Sequence, residues 1–175
     1  MPPQILWSNR KFEFDFPAEL YPEMLERVRG TPARVEDRVS ALSESILTRR
    51  DGHRWSIQEN IGHLLDLEEL FSERVDDYDA NHSTLLAADM TNRKTHDARH
   101  NDQPIQTILS EFRSARIGLV ERLERHDSEY FARVALHPRL NKHMRVVDML
   151  YFQSEHDDYH LARISELIRM FHPRA

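Results

Sequence analysis

The sequence predicts an all-α domain: a four-helix bundle with an extended N-terminal arm and long connections after its second and third helices. Three observations carry this expectation. Apolar residues recur at helical spacing in four long segments. Glycine is scarce, 4 in 175 residues, which disfavours tight hairpins and phosphate-cradling loops. The length suits one domain, and no repeat or low-complexity stretch marks a boundary.

Residues 1–30 read as an arm packed on the domain and 31–175 as the bundle. Phe12, Phe14 and Phe16 alternate with Glu13 and Asp15, and Pro17 and Pro22 punctuate the segment, so it reads as extended chain pressing aromatics onto the bundle. The first helix is expected from about Pro32 to Arg49, with Thr31 as N-cap and Pro32 at the first helical position. Val35, Val39, Leu42 and Ile46 give it one apolar stripe, and Asp51-Gly52 ends it. The second starts at Ser56, where Ser56 and Glu59 form a capping box, and runs to about Tyr78. Its broad apolar face holds Ile57, Ile61, Leu64, Leu65, Phe71 and Val75.

Residues 79–103 keep no period and read as a long polar crossing loop containing at most a short helical turn. The third helix is expected from about Pro104 to Arg125, capped by Asp102, with Ile105, Ile108, Leu109, Phe112, Leu119 and Leu123 on one face. Residues 126–144 form a second irregular connection that includes His137-Pro138. The fourth helix is expected from about Val146 to Phe171, before Pro173.

Composition narrows the function classes. Lys+Arg is 24 and Asp+Glu 30, so 24 − 30 gives −6, a balance that argues against nucleic-acid binding. Cysteine is absent, which removes disulfides, thiolate metal sites and a cysteine nucleophile. No apolar run approaches the roughly 18 residues of a membrane helix. Met1-Pro2-Pro3-Gln4 does not open a signal peptide, so a cytoplasmic protein acting on a small molecule is expected. No Gly-x-Ser-x-Gly, P-loop or dinucleotide motif occurs.

The chemistry-bearing segment is Gln153-Ser154-Glu155-His156-Asp157-Asp158-Tyr159-His160. On a helix His156 and His160 lie about 40° apart and one turn along, inside the stripe of Val146, Met149, Leu150, Ile164, Leu167 and Phe171. Two imidazoles so placed can chelate one divalent cation; the alternative is a hydrogen-bonded polar plug in the core. His63, after Gly62 on the second helix, offers a third ligand. Three neutral histidines leave the cation its full charge and open positions for water or substrate, and nickel or zinc suits imidazole best. Glu68 on the same face is a candidate acceptor that orients a histidine, or a glutamate bonded to a neighbouring helix. Asp157 is a candidate proton carrier. Arg116 interrupts the stripe between Phe112 and Leu119, either as an anion clamp or snorkelling to solvent. His96 and His100 also have i,i+4 spacing but lack an apolar face, so they read as solvated loop. His53, His82, His126, His143 and His172 read as surface residues.

Trp55 through His63 to Glu68, together with His137-Pro138-Arg139-Leu140 and the run from Val146 through His156-Asp157-Asp158-Tyr159-His160 to Ile164, resembles the DinB/YfiT-like family over about residues 30–171. Arg163 departs from the glutamine many relatives carry. The resemblance implies a four-helix bundle, a nickel or zinc site at His63, His156 and His160, and a homodimer. It also implies chemistry of the thiol-dependent transferase or isomerase kind, with a low-molecular-weight thiol as cosubstrate. Three readings stay open: a thiol-dependent S-transferase, a metal-activated hydrolase with Glu68 or Asp157 handling protons, and a non-catalytic metal-binding stress-response module.

Overall fold

The computed structural model describes residues 4–172. The expectations at Met1–Pro3 and Pro173 lie outside them. Three helices match the sequence periods closely: α4 (Ile57–Asp79), α6 (Ile105–Leu123) and α7 (Val146–Phe171). The capping box at α4 forms as expected, with Ser56 Oγ accepting from the Glu59 amide at 3.0 Å and Glu59 accepting from the Ser56 amide at 2.9 Å. Pro104, rather than Asp102, occupies the N-cap of α6. Its carbonyl accepts from the Thr107 amide at 3.0 Å, and no side chain caps the helix.

The fourth wall of the bundle is not the continuous helix expected over 32–49. It is built in pieces: α1 (Tyr21–Arg29), α2 (Thr31–Val39) and the short α3 (Glu44–Leu47). Pro22 and Pro32 each sit in a first turn, where proline is tolerated, so they start helices rather than break them. Thr31 therefore opens α2 instead of capping it. Ser40 Oγ bonds the Asp37 carbonyl at the end of α2, offering the backbone an alternative to helical pairing. The apolar stripe survives the interruptions, because Val35, Val39 and Leu47 all reach the same core.

The arm ends sooner than expected, since residues 21–29 are helical. Its aromatic role is as anticipated. Phe12 is buried, with Trp7 and Phe152 packed against it at ring-centroid distances of 5.0 and 4.9 Å. Lys142 and Arg145 tie the arm down by donating to the Phe12 and Phe16 carbonyls.

Both connections carry more structure than their sequences suggested. The first contains α5 (Arg93–Ala98) and a 3-10 turn at His100–Asp102. The second contains an antiparallel hairpin, β1 (Val134–His137) paired with β2 (Lys142–Arg145). Glycine scarcity did not prevent this hairpin: Asn141, at φ 50°, takes the left-handed position of its four-residue loop. Ser83–Leu85 adds to the other edge of β1 through Leu85 N–H to the Leu136 carbonyl.

The core falls into two apolar clusters. One gathers Leu25, Val28, Phe71, Val75, Leu119 and Met149 with the hairpin's Met144. The other gathers Val35, Ile57, Ile61, Ile108, Phe112 and Ile164. Buried polar residues lie between them in sequence on every long helix: Glu68 on α4, Arg116 on α6, and His156, Asp157 and His160 on α7, with His63 within the second cluster's stretch of α4.

Candidate metal centre

Helices α4 and α7 pack against one another and bring His63, His156 and His160 together. All three are buried, and one ligand nitrogen from each lies within 4.8 Å of the others. His156 Nε2 and His160 Nε2 are already 3.2 Å apart. Two ligands on a tetrahedral ion with metal–nitrogen bonds of about 2.0–2.1 Å stand roughly 3.3 Å apart, so this edge of the site needs little adjustment.

The surroundings fix the ring orientations. Asn60, one turn before His63 on α4, donates its amide to the Ser56 carbonyl at 2.7 Å. That leaves Asn60 Oδ1 as acceptor for His160 Nδ1 at 2.8 Å. His160 therefore carries its proton on Nδ1 and turns the Nε2 lone pair toward the other histidines. Thr95 Oγ1 of α5 lies 3.0 Å from His63 Nδ1, and as a hydroxyl it can accept from that ring or donate to it. Burial holds His63 down to about 4 and pushes His156 and His160 well below the ordinary imidazole value, with the neighbouring imidazoles adding to the effect. All three are neutral at pH 7, the form a metal ligand requires.

Two tryptophans wall the triad. Trp7, from the arm, meets His156 edge-on at 4.9 Å, and Trp55, just before the α4 cap, lies over His63 at 4.7 Å. The triad opens onto a cavity of about 590 Å³ that reaches from the arm to the crossing loop and the β1–β2 turn. Donor type, neutrality and the His160 tautomer would suit a late divalent cation.

The other candidates fall elsewhere. Of the two roles open to Glu68 the structure shows the second: it accepts from Arg116 of the neighbouring α6, Nε at 3.1 Å and Nη2 at 2.7 Å, and does not orient a histidine. Asp157 accepts from Arg116 Nη1 at 2.6 Å and from Thr31 Oγ1 at 2.7 Å. Arg116 itself neither snorkels nor faces a ligand; it is fully buried between the two carboxylates. Its Nη1 also donates to the Val28 carbonyl at 2.8 Å. That carbonyl's usual helical donor would be the amide of residue 32, which Pro32 lacks. Burial pushes the Glu68 carboxyl upward and Arg116 pulls it back. None of the three lines the cavity.

His100, read as solvated, is buried, and its Nε2 lies 2.9 Å from Asp66 Oδ2. Its ring rests on Gly62, where a Cβ would come within 2.2 Å of His100 Cγ. The small residue before His63 thus admits the crossing loop rather than another helix. His96 is exposed, as expected. His137 is buried and lines the cavity. Arg74 is buried and lines it too, and sequence reasoning missed it. Its one signal was a basic residue three positions after Phe71 and one before Val75 on an apolar face.

The sequence model of the DinB superfamily matches residues 27–164. Among solved structures the chain is similar to YfiT from Bacillus subtilis, described as "a probable metal-dependent hydrolase with an unusual four-helix bundle topology". The identity is 18%, the TM-score 0.78, and the match covers 92% of this chain and 93% of that one. It is also similar to the mycothiol-dependent maleylpyruvate isomerase, at 12% identity and TM-score 0.65, covering 85% of this chain and 60% of that one. No curated protein matches the sequence.

Proposed function

The chain belongs to the DinB superfamily, and on that ground we propose that it is a divalent-metal-dependent enzyme with the ion held by His63, His156 and His160. Nickel and zinc suit this all-imidazole donor set best. The observation that carries the reading is the convergence of three buried, neutral imidazoles from two helices on one side of a substrate-sized cavity. A cation bound there supplies Lewis acidity that favours the deprotonated form of a thiol or water. The chain's own residues orient and enclose. Asn60 holds the His160 tautomer, Thr95 positions the His63 ring, and Trp7 and Trp55 shield the ligands from water.

The reaction assigned is thiol-dependent transfer, with a low-molecular-weight thiol attacking a small electrophile. Its support is the commitment of Glu68 and Asp157 to Arg116. A thiol needs only to lose its proton, whereas hydrolysis also benefits from a carboxylate that relays a proton to the leaving group. Metal-activated hydrolysis is the second reading, favoured by the description of YfiT. A purely structural ion fits less well, because closed structural sites normally take four protein ligands.

The test is the metal content of untagged protein beside its His160→Ala variant, followed by thiol titration of the nickel- or cobalt-loaded protein. About one equivalent in the parent, lost in the variant, with a thiol-dependent spectral change, is expected. A parent that takes up neither nickel nor zinc overturns the enzyme reading. A loaded protein whose spectrum ignores millimolar thiol overturns the transfer reading in favour of hydrolysis.

A further inference from the structure

Opposite its three histidines, the cavity holds cationic groups that the chemistry above does not use. Arg74 of α4 is buried at 1% exposure. Its Nε donates to the Leu86 carbonyl at 3.0 Å, while its Nη2 is buried with no partner. Arg139, in the β1–β2 turn, likewise has a buried Nη2 without a partner. Among the described residues neither guanidinium has a carboxylate within ion-pair distance. Asp77, the carboxylate whose charge acts on Arg74, is occupied by His82 and the Leu86 amide. The two acids that line the cavity are also committed: Asp89 accepts from Thr91 and the Arg93 amide, and Glu166 from Arg163.

His137, at the end of β1, completes the group. Its Nδ1 accepts from the Leu140 amide at 3.3 Å, so the neutral ring carries its proton on Nε2. That Nε2 is the third buried nitrogen without a partner. The two guanidiniums lie close enough to help hold His137 down to about 4, behind burial as the main cause, so the ring stays a neutral N–H donor. Burial and Arg139 together lower Arg74 to about 10, and it keeps its charge at pH 7.

Three donors with no acceptor, two of them cationic, are costly to bury unless an anion meets them. We propose that Arg74, Arg139 and His137 form a subsite for the carboxylate of a small organic substrate that enters the cavity beside the three histidines. The three free nitrogens offer up to five N–H groups, which suits the roughly four lone-pair sites of one carboxylate. A phosphate monoester brings three strong acceptor oxygens and nearly double the charge. Leu67, Leu70, Phe71 and Phe152 give the cavity apolar walls, so the body of the substrate is apolar. This names the substrate class for the site proposed above, and rests on that reading only for where the chemistry occurs.

The chain's two tryptophans, Trp7 and Trp55, line the same cavity and serve as reporters. The experiment titrates 4-phenylbutyrate, its neutral twin 4-phenylbutanamide and inorganic phosphate into full-length protein, zinc-loaded and chelator-treated, following tryptophan fluorescence. Saturable binding of the carboxylate with and without metal is expected, with the amide at least tenfold weaker. Arg139→Gln, in the β1–β2 turn, is expected to weaken carboxylate binding at least tenfold without lowering the melting temperature. Arg74→Gln serves as a second variant, scored only if its melting curve stays cooperative. Equal binding of acid and amide, or no saturable binding, overturns the subsite. So does carboxylate binding that vanishes with chelator and ignores Arg139→Gln, because the acid then sits on the metal. Phosphate that displaces the acid at tenfold lower concentration overturns the carboxylate assignment. Arg139-dependent binding in a chain that takes up no metal keeps the subsite and removes the enzyme reading above.

Discussion

His160 Nδ1 lies 2.8 Å from Asn60 Oδ1, and that contact determines which nitrogen of His160 faces the other two histidines. Asn60 can act as acceptor because the Ser56 carbonyl holds its amide nitrogen. The capped first turn of α4 thus sets the orientation of His160 on α7.

Asn60→Ala is expected to weaken metal binding about 10- to 100-fold, the usual effect of losing a residue that orients a ligand. Asn60→Asp keeps the acceptor and should stay within a few-fold of the parent. Competition against a chromogenic chelator reads both. An unchanged affinity in Asn60→Ala would mean that the tautomer is held by something else.

Arg116→Met is expected to destabilise the protein by about 3–5 kcal/mol, because it strands two buried carboxylates. Urea unfolding measures this. The folded fraction should still bind its metal, since Arg116 makes no hydrogen bond to the three histidines. Loss of metal with stability intact would place Arg116 in the site after all.

Gly62→Ala should push the His100 ring aside and loosen the crossing loop that carries Thr95. A cost of about 1–3 kcal/mol is expected for this overpacking. Removing the obstacle in Gly62→Ala/His100→Ala should make the pair cost less than the sum of the singles. Strict additivity in the double-mutant cycle would show that the two positions do not touch.

His137 makes a pH prediction with a definite sign. Its folded value is about 4, against 6.5 when exposed, so between these limits the unfolded chain binds the extra proton. Its contribution is complete above pH 6.5 and is lost as pH falls toward 4. The slope is at most about 1.4 kcal/mol per pH unit. Chelator-treated His137→Gln should therefore lose stability less steeply than the parent over this range. Parallel curves for the two proteins would refute the assignment.

Much of this was readable from local pattern. The second, third and fourth long helices follow from periodic stripes, and the start of α4 from Ser56 and Glu59, because capping and periodicity act within one or two turns. The pairing of two of the three clustered histidines was legible for the same reason. His156 and His160 share a face by spacing alone, and they interrupt a stripe whose other members are apolar. The first helix was read as one piece because its stripe is continuous, although the chain leaves the helix after Val39 and re-enters it at Glu44. The hairpin was missed because an asparagine takes the left-handed position that glycine usually signals.

Pairing across the bundle lay beyond any local pattern. Arg116, Glu68 and Asp157 sit on three different helices, so their mutual burial depends on how those helices are juxtaposed. His100 is buried only because the crossing loop folds back onto Gly62. Arg74, Arg139 and His137 meet because the hairpin turn lies over the same cavity as α4. Short-range spacing specifies which face of a helix a side chain takes, whereas charge neutralisation and desolvation depend on what the fold places opposite it.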